Sequence, residues 1–227
     1  QASVEAAQEK IDNLPTPSGG EGETFTLTGD IDVVNGTAGD DRILGQEDTA
    51  DAADQIDGGA GRDTIELYNV TSDAVPNNVS NVEQLSVIGA NTAGAAGATA
   101  PVNVVAGEYE QVWAKDGSSV AVTELSNDQT IGIDGVATIS GAFTGNTANV
   151  ALDDANGTAT LTGAAVRTIN VSGNTANNAT ATLVGAATAA TTTLNVAAAG
   201  DVALNSAAAL ALETVSVSGE GEVDLGT

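Results

Sequence analysis

Thr130-Ile131-Gly132-Ile133-Asp134, Asn149-Val150-Ala151-Leu152-Asp153 and Thr168-Ile169-Asn170-Val171-Ser172 share one local form: a polar residue, an aliphatic, a small or polar residue, a second aliphatic, then a turn. Their first aliphatics, Ile131, Val150 and Ile169, are 19 residues apart each time. Forward, the series continues through Leu194 and Val215 at steps of 25 and 21; backward it reaches Val112 at 19 and Leu85 at 27. A second series lies between these strands, at Ile139, Leu161, Leu183, Leu204 and Val223, with steps of 22, 22, 21 and 19. Two interleaved strand series with a common period near 20 predict a solenoid in which each turn of chain stacks on the last. Alternation sends the aliphatics to one face and the Thr, Ser, Asn and Asp to the other. An antiparallel sandwich would account for the number of strands but not for their steady register. The fold class expected is therefore all-β, a parallel β-solenoid of the β-roll or β-helix type. The unequal steps predict loops of different sizes at the corners.

Composition narrows the chemistry. The 227 residues include no Cys, no His and no Met, and only five aromatics: Phe25, Tyr68, Tyr109, Trp113 and Phe143. A zinc site of the usual kind, a thiol nucleophile, a Ser-His-Asp triad and a haem ligand are excluded by those absences. The net charge of −26 opposes binding to nucleic acid or to an anionic membrane. Disorder is not the reading, because 41% of the residues are hydrophobic and the mean hydropathy is slightly positive at +0.05. No apolar run approaches the roughly 18 residues of a membrane span. A chain that begins at Gln1 and contains no Met reads as a processed piece of a longer precursor.

Three regions follow. Residues 1–24 hold a short helix and a linker: Val4, Ala7, Ile11 and Leu14 recur at helical spacing, Ser3 can cap the start, and Pro15 with Pro17 ends it. Residues 25–73 read as a calcium-binding β-roll. Residues 74–227 continue it as an irregular parallel β-helix.

The roll is identified by its acids. Seventeen of the 31 Asp and Glu residues lie within residues 1–73. Gly58-Gly59-Ala60-Gly61-Arg62-Asp63-Thr64-Ile65-Glu66 fits the calcium nonapeptide G-G-x-G-x-D-x-U-x at every specified position. Gly36-Thr37-Ala38-Gly39-Asp40-Asp41-Arg42-Ile43-Leu44 fits it with Thr37 in place of the second Gly, and Asp54-Gln55-Ile56-Asp57 supplies the end of an intervening repeat. The 22-residue step from Asp41 to Asp63 places their loops on one edge, one coil apart, with an enlarged acidic loop (45–54) opposite. Calcium takes six to eight oxygens from carboxylates and backbone carbonyls, and glycines let a loop turn its carbonyls inward. Asp41 and Asp63 are the expected carboxylates of one shared ion, with carbonyls from Gly36, Ala38, Gly59 and Gly61. Asp40, Asp48, Asp51, Asp54 and Asp57 are candidates for further Ca2+ ions. Any one of these acids alone would read as a solvated loop carboxylate; the coincidence of a complete repeat, a near-copy and a half-repeat favours calcium.

Other signals carry less. Asp116-Gly117, Asp134-Gly135 and Asp153-Asp154-Ala155-Asn156-Gly157 are turn signals first. The sequons at Asn35, Asn69, Asn78, Asn156 and Asn178 are expected by chance in a chain so rich in Asn and Thr. Glu108 and Glu110 raise glycosidase chemistry, but aromatic platforms and basic residues are scarce, and Trp113, inside the strand series, reads as a core filler. No enzyme is expected.

The quoted nonapeptides are similar to those of the RTX family, whose members leave the cell by type I secretion. The longer pattern is more particular. It runs through Phe25-Thr26-Leu27-Thr28-Gly29, the two nonapeptides, Asn81-Val82-Glu83-Gln84-Leu85-Ser86-Val87 and the echo Leu212-Glu213-Thr214-Val215-Ser216-Val217-Ser218-Gly219. Over residues 25–227 it resembles RTX-type bacterial S-layer proteins of the Caulobacter kind. The resemblance implies a calcium-loaded β-solenoid on the bacterial surface, exported within a longer precursor. It also implies self-assembly into a lattice, sheet or filament, with cell-surface polysaccharide held through regions outside this chain. The rival reading is an adhesin or ligand-binding segment of a large exported protein on the same scaffold.

Overall fold

The structure is a computed structural model and describes residues 21–89, 101–107, 109–176, 181–185, 191–206 and 212–225. The helix expected at 3–14, most of the linker, Glu108 and Asn178 lie outside those residues.

The chain is an all-β parallel solenoid. One wall is a ten-stranded sheet that takes every second strand in sequence order, from Thr24–Thr26 through Arg42–Gln46, Thr64–Tyr68, Gln84–Ile88 and Gln111–Lys115 to Thr214–Gly219. The strands between them form the opposite wall in two pieces. Val33–Asn35, Gln55–Asp57 and Asn78–Ser80 make a three-stranded sheet; a seven-stranded sheet begins at Val102–Val105. Every pairing is parallel. The second wall breaks where the coil from Leu85 to Val112 is longest.

Register explains the stability. Ile43, Ile65, Leu85, Val112, Ile131, Val150, Val171 and Val196 lie in one inward rank, each opposite the next. None is more than 2% exposed. Burying each such side chain stabilises the coil by about 1.5–3 kcal/mol before ordering entropy is counted. The thin core has no need of large aromatics, because each aliphatic meets its counterparts one coil above and one below.

Expected strand neighbours are all found, but some registers shift by two residues. Leu85, Val112, Ile131 and Val150 pair in the predicted order. Val150, however, faces Val171, and Ile169 faces Ala148. In the second series Ile139 faces Ala159, Leu161 faces Gly185, Leu204 faces Ala181 and Val223 faces Val202. A slip of two keeps every side chain on its face, so alternation cannot distinguish the two registers. Trp113 is a correction of another kind. It lies on the outward face, half-buried, between inward Val112 and Ala114. Among the described residues no helix is long and apolar enough to cross a membrane.

Candidate metal-binding edge

Loops 36–41 and 58–63 stack on one edge of the solenoid, as the 22-residue step predicts. Gly36 N–H donates to the Asp57 carbonyl at 2.7 Å, Ala60 N–H to the Thr37 carbonyl at 3.0 Å, and Gly58 N–H to the Ser80 carbonyl at 3.0 Å. The coils approach so closely that a Cβ on Gly58 would stand 2.0 Å from the Asn81 carbonyl oxygen. Only glycine allows that contact.

The acids of this edge point inward at the corner. Asp41 and Asp63 are 1% and 0% exposed. Each carboxylate reaches back to cap a peptide of the preceding coil. Asp41 Oδ1 accepts the Glu23 N–H at 2.6 Å, Asp63 Oδ1 accepts the Asp41 N–H at 2.6 Å, and Glu83 Oε2 accepts the Asp63 N–H at 2.7 Å. These charge-assisted bonds form a ladder that joins coil to coil. Glu83 was missed as a member of the edge because no glycine loop surrounds it. Its 20-residue step from Asp63 was the available signal.

The two nonapeptide loops differ at their second position, and the difference decides how each acid is satisfied. In the near-copy, Thr37 donates its N–H to Asp41 Oδ2 and its hydroxyl to Asp41 Oδ1. In the complete repeat, Gly59 has no hydroxyl, and its N–H turns to Asp57 Oδ1 at 3.1 Å. Asp63 Oδ2 is consequently buried with no hydrogen-bond partner. The loop that matches the calcium repeat best is the one that leaves a carboxylate oxygen unsatisfied.

Protonation follows the same contrast. For Asp41, burial raises the pKa, but the N–H groups of Glu23 and Thr37 and the Thr37 hydroxyl outweigh it and hold the acid below the ordinary 3.8. For Asp63, burial pushes the pKa above 3.8. The Asp41 N–H opposes that push, while the negative charges of Asp41, Glu83 and Asp40 add to it.

The remaining candidates are spread out. Asp40 accepts the Arg62 N–H at 2.8 Å, and Asp57 accepts the Asn81 amide at 2.8 Å. On the opposite edge, Asp54 is fully buried and accepts the N–H groups of Asp32 at 2.9 Å and Asp51 at 2.8 Å. Asp51 caps Ala53 at 2.8 Å, and Asp48 is exposed in the same enlarged loop. Among the described residues no group of three or more carboxylates converges as a metal cage.

Fold and edge together define a class: a parallel β-solenoid whose corners are capped by buried carboxylates reaching across coils. Comparison with protein-family models, with curated proteins and with solved structures gives no match.

Proposed function

We propose that this chain is a structural segment of a bacterial surface protein whose folding, and self-assembly into a sheet or filament, respond to calcium. The observation that carries the reading is Asp63 Oδ2, a buried carboxylate oxygen without a donor inside a complete calcium nonapeptide. The site's donors are all oxygens, as a hard cation requires. Asp63 would hold the ion, with the carbonyls of Gly36, Ala38, Gly59 and Gly61 in the two stacked loops as further donors. Asp41, Asp40 and Glu83 supply negative charge close by. Bound calcium would neutralise that charge and add its binding free energy to folding. At the low calcium of a cytosol the same carboxylates repel, which favours an unfolded, exportable chain; at the millimolar calcium outside cells they would close the solenoid.

The test is a calcium titration of chelator-treated protein, followed by far-UV circular dichroism and light scattering. Added calcium is expected to increase or harden the β signal and to raise the scattering. A β signal and a monomeric size unaffected by calcium would overturn the proposal.

A further inference from the structure

Asparagine or aspartate precedes glycine at Asn35-Gly36, Asp57-Gly58, Asp116-Gly117, Asp134-Gly135 and Asn156-Gly157. At such a pair the glycine nitrogen, unhindered by a Cβ, can attack the side-chain carbonyl carbon before it. Whether it does so in a folded chain depends on where its N–H is engaged. In four of the pairs the next coil holds it. Gly36 N–H donates to the Asp57 carbonyl at 2.7 Å and Gly58 N–H to the Ser80 carbonyl at 3.0 Å; Gly117 N–H donates to the Val136 carbonyl at 2.5 Å and Gly135 N–H to the Asp153 carbonyl at 3.1 Å. Gly157 is the exception. Among the described residues its N–H has no acceptor, and the exposed Asn156 side-chain amide has no partner.

We infer that Asn156 is a site of spontaneous modification, at which the Gly157 nitrogen attacks the Asn156 side-chain carbonyl carbon. The nitrogen gives its proton to solvent base, the new C–N bond closes a five-membered succinimide, and the side-chain nitrogen of Asn156 leaves as ammonia. Water then opens the ring at either carbonyl. One opening gives aspartate; the other gives isoaspartate, with the main chain rerouted through the side chain. Both products add a negative charge, but only isoaspartate lengthens the backbone by a methylene. The corner has no slack for that. Asn156 N–H donates to the Gly135 carbonyl at 2.9 Å, Thr158 N–H to the Ala137 carbonyl at 3.1 Å, and the Gly157 carbonyl accepts the Thr182 N–H at 2.8 Å. The coils are so close that a Cβ on Gly157 would stand 2.0 Å from the Ala137 carbonyl oxygen. Isoaspartate therefore pulls the corner out of register with the coils on both sides. The pair lies where the chain passes from the ten-stranded to the seven-stranded wall. That is the edge opposite loops 36–41 and 58–63, so the inference does not depend on calcium.

The chain carries its own control, because Asn35-Gly36-Thr37-Ala38 and Asn156-Gly157-Thr158-Ala159 are the same four residues. The whole chain, folded in calcium-containing buffer, is incubated at mildly alkaline pH beside a sample unfolded in urea. Conversion is read by peptide mass spectrometry and by enzymatic methylation of isoaspartate. In urea Asn35 and Asn156 are expected to convert at similar rates. In the folded chain Asn156 is expected to convert about tenfold faster than Asn35, where the Gly36 hydrogen bond must first be broken. Asn156→Gln should abolish conversion there and leave the far-UV dichroism unchanged. The isoaspartyl form, separated by ion exchange, should exchange amide hydrogens faster than the parent in Thr138–Phe143, Thr147–Ala155 and Thr158–Thr162. Asn156→Asp, which adds the charge without the methylene, should exchange like the parent. Folded protein whose Asn156 stays intact while the unfolded sample converts, or whose Asn35 keeps pace with it, would overturn the site; an isoaspartyl form that exchanges like the parent would overturn the account of its corner.

Discussion

Gly173→Ala is expected to be among the most damaging small substitutions at the described residues, costing about 3 kcal/mol from backbone strain and overpacking combined. Gly173 has φ +109°, where side chains are rarely found, and its Cβ would lie 1.8 Å from the Leu152 carbonyl oxygen and 2.8 Å from its carbon. Both atoms are backbone, so no rotamer change relieves the contact. The coil would have to lift from the one beneath, beside the register shift between Leu152 and Ala155. Because each coil in a solenoid is held chiefly by its neighbours, the damage should spread along the chain rather than through the whole fold. Urea unfolding should show the loss of stability, and hydrogen exchange should accelerate first in strands Thr168–Thr175, Thr193–Ala198 and Thr214–Gly219. Uniform exchange in the variant and an unchanged urea midpoint would contradict the packing described.

Asp63 should respond differently to two substitutions when calcium is chelated. Asparagine keeps an oxygen to accept the Asp41 N–H and removes a charge that burial and the neighbouring acids disfavour. At neutral pH it is expected to stabilise the chain by on the order of 1–2 kcal/mol. Alanine deletes the acceptor and strands a buried N–H, and should be less stable than asparagine by about 1–3 kcal/mol.

The pH dependence carries the same sign. Asp63 has a folded pKa above 3.8, so between 3.8 and that raised value the folded state binds more protons than the unfolded. Its cost is therefore present in full above the raised value and is relieved as the pH falls through this window. Asp41 acts oppositely and lower down. Its folded pKa lies below 3.8, so its contribution is present in full above 3.8 and is lost as the pH falls through the folded value. Chelated parent protein should gain stability on mild acidification and lose it under stronger acid. Asp63→Asn should show only the loss.

Much of this architecture could be read from aliphatic spacing, because one coil per 20 or so residues forces like side chains into ranks. The neighbours of every strand in the two series followed from that period. What alternation could not fix was a slip of two: Ala148, too small to stand out as a core residue, occupies the place opposite Ile169 that Val150 was expected to fill. Trp113 shows the converse. Its size argued for the interior, while its place between Val112 and Ala114 argued for the surface, and the pleat prevailed. At the candidate edge, spacing placed the loops of Asp41 and Asp63 one above the other. It could not show that their carboxylates cap peptides of the preceding coil, nor that Thr37 satisfies one acid where Gly59 leaves the other in need. That distinction depends on a single hydroxyl, visible only once the loops are stacked.

If the unsatisfied Asp63 oxygen is a calcium ligand rather than a tolerated strain, the stability of the fold must follow calcium through that one side chain. Thermal melts of the parent and of Asp63→Asn, each across a series of calcium concentrations after chelation, test it most directly. A cation that binds only the folded state must raise the parent's Tm progressively with its concentration. The parent's Tm should rise in this way while that of Asp63→Asn stays flat, beginning higher without calcium and being overtaken as calcium is added. A parent whose Tm ignores calcium, or a variant whose Tm climbs in step with the parent's, would contradict it.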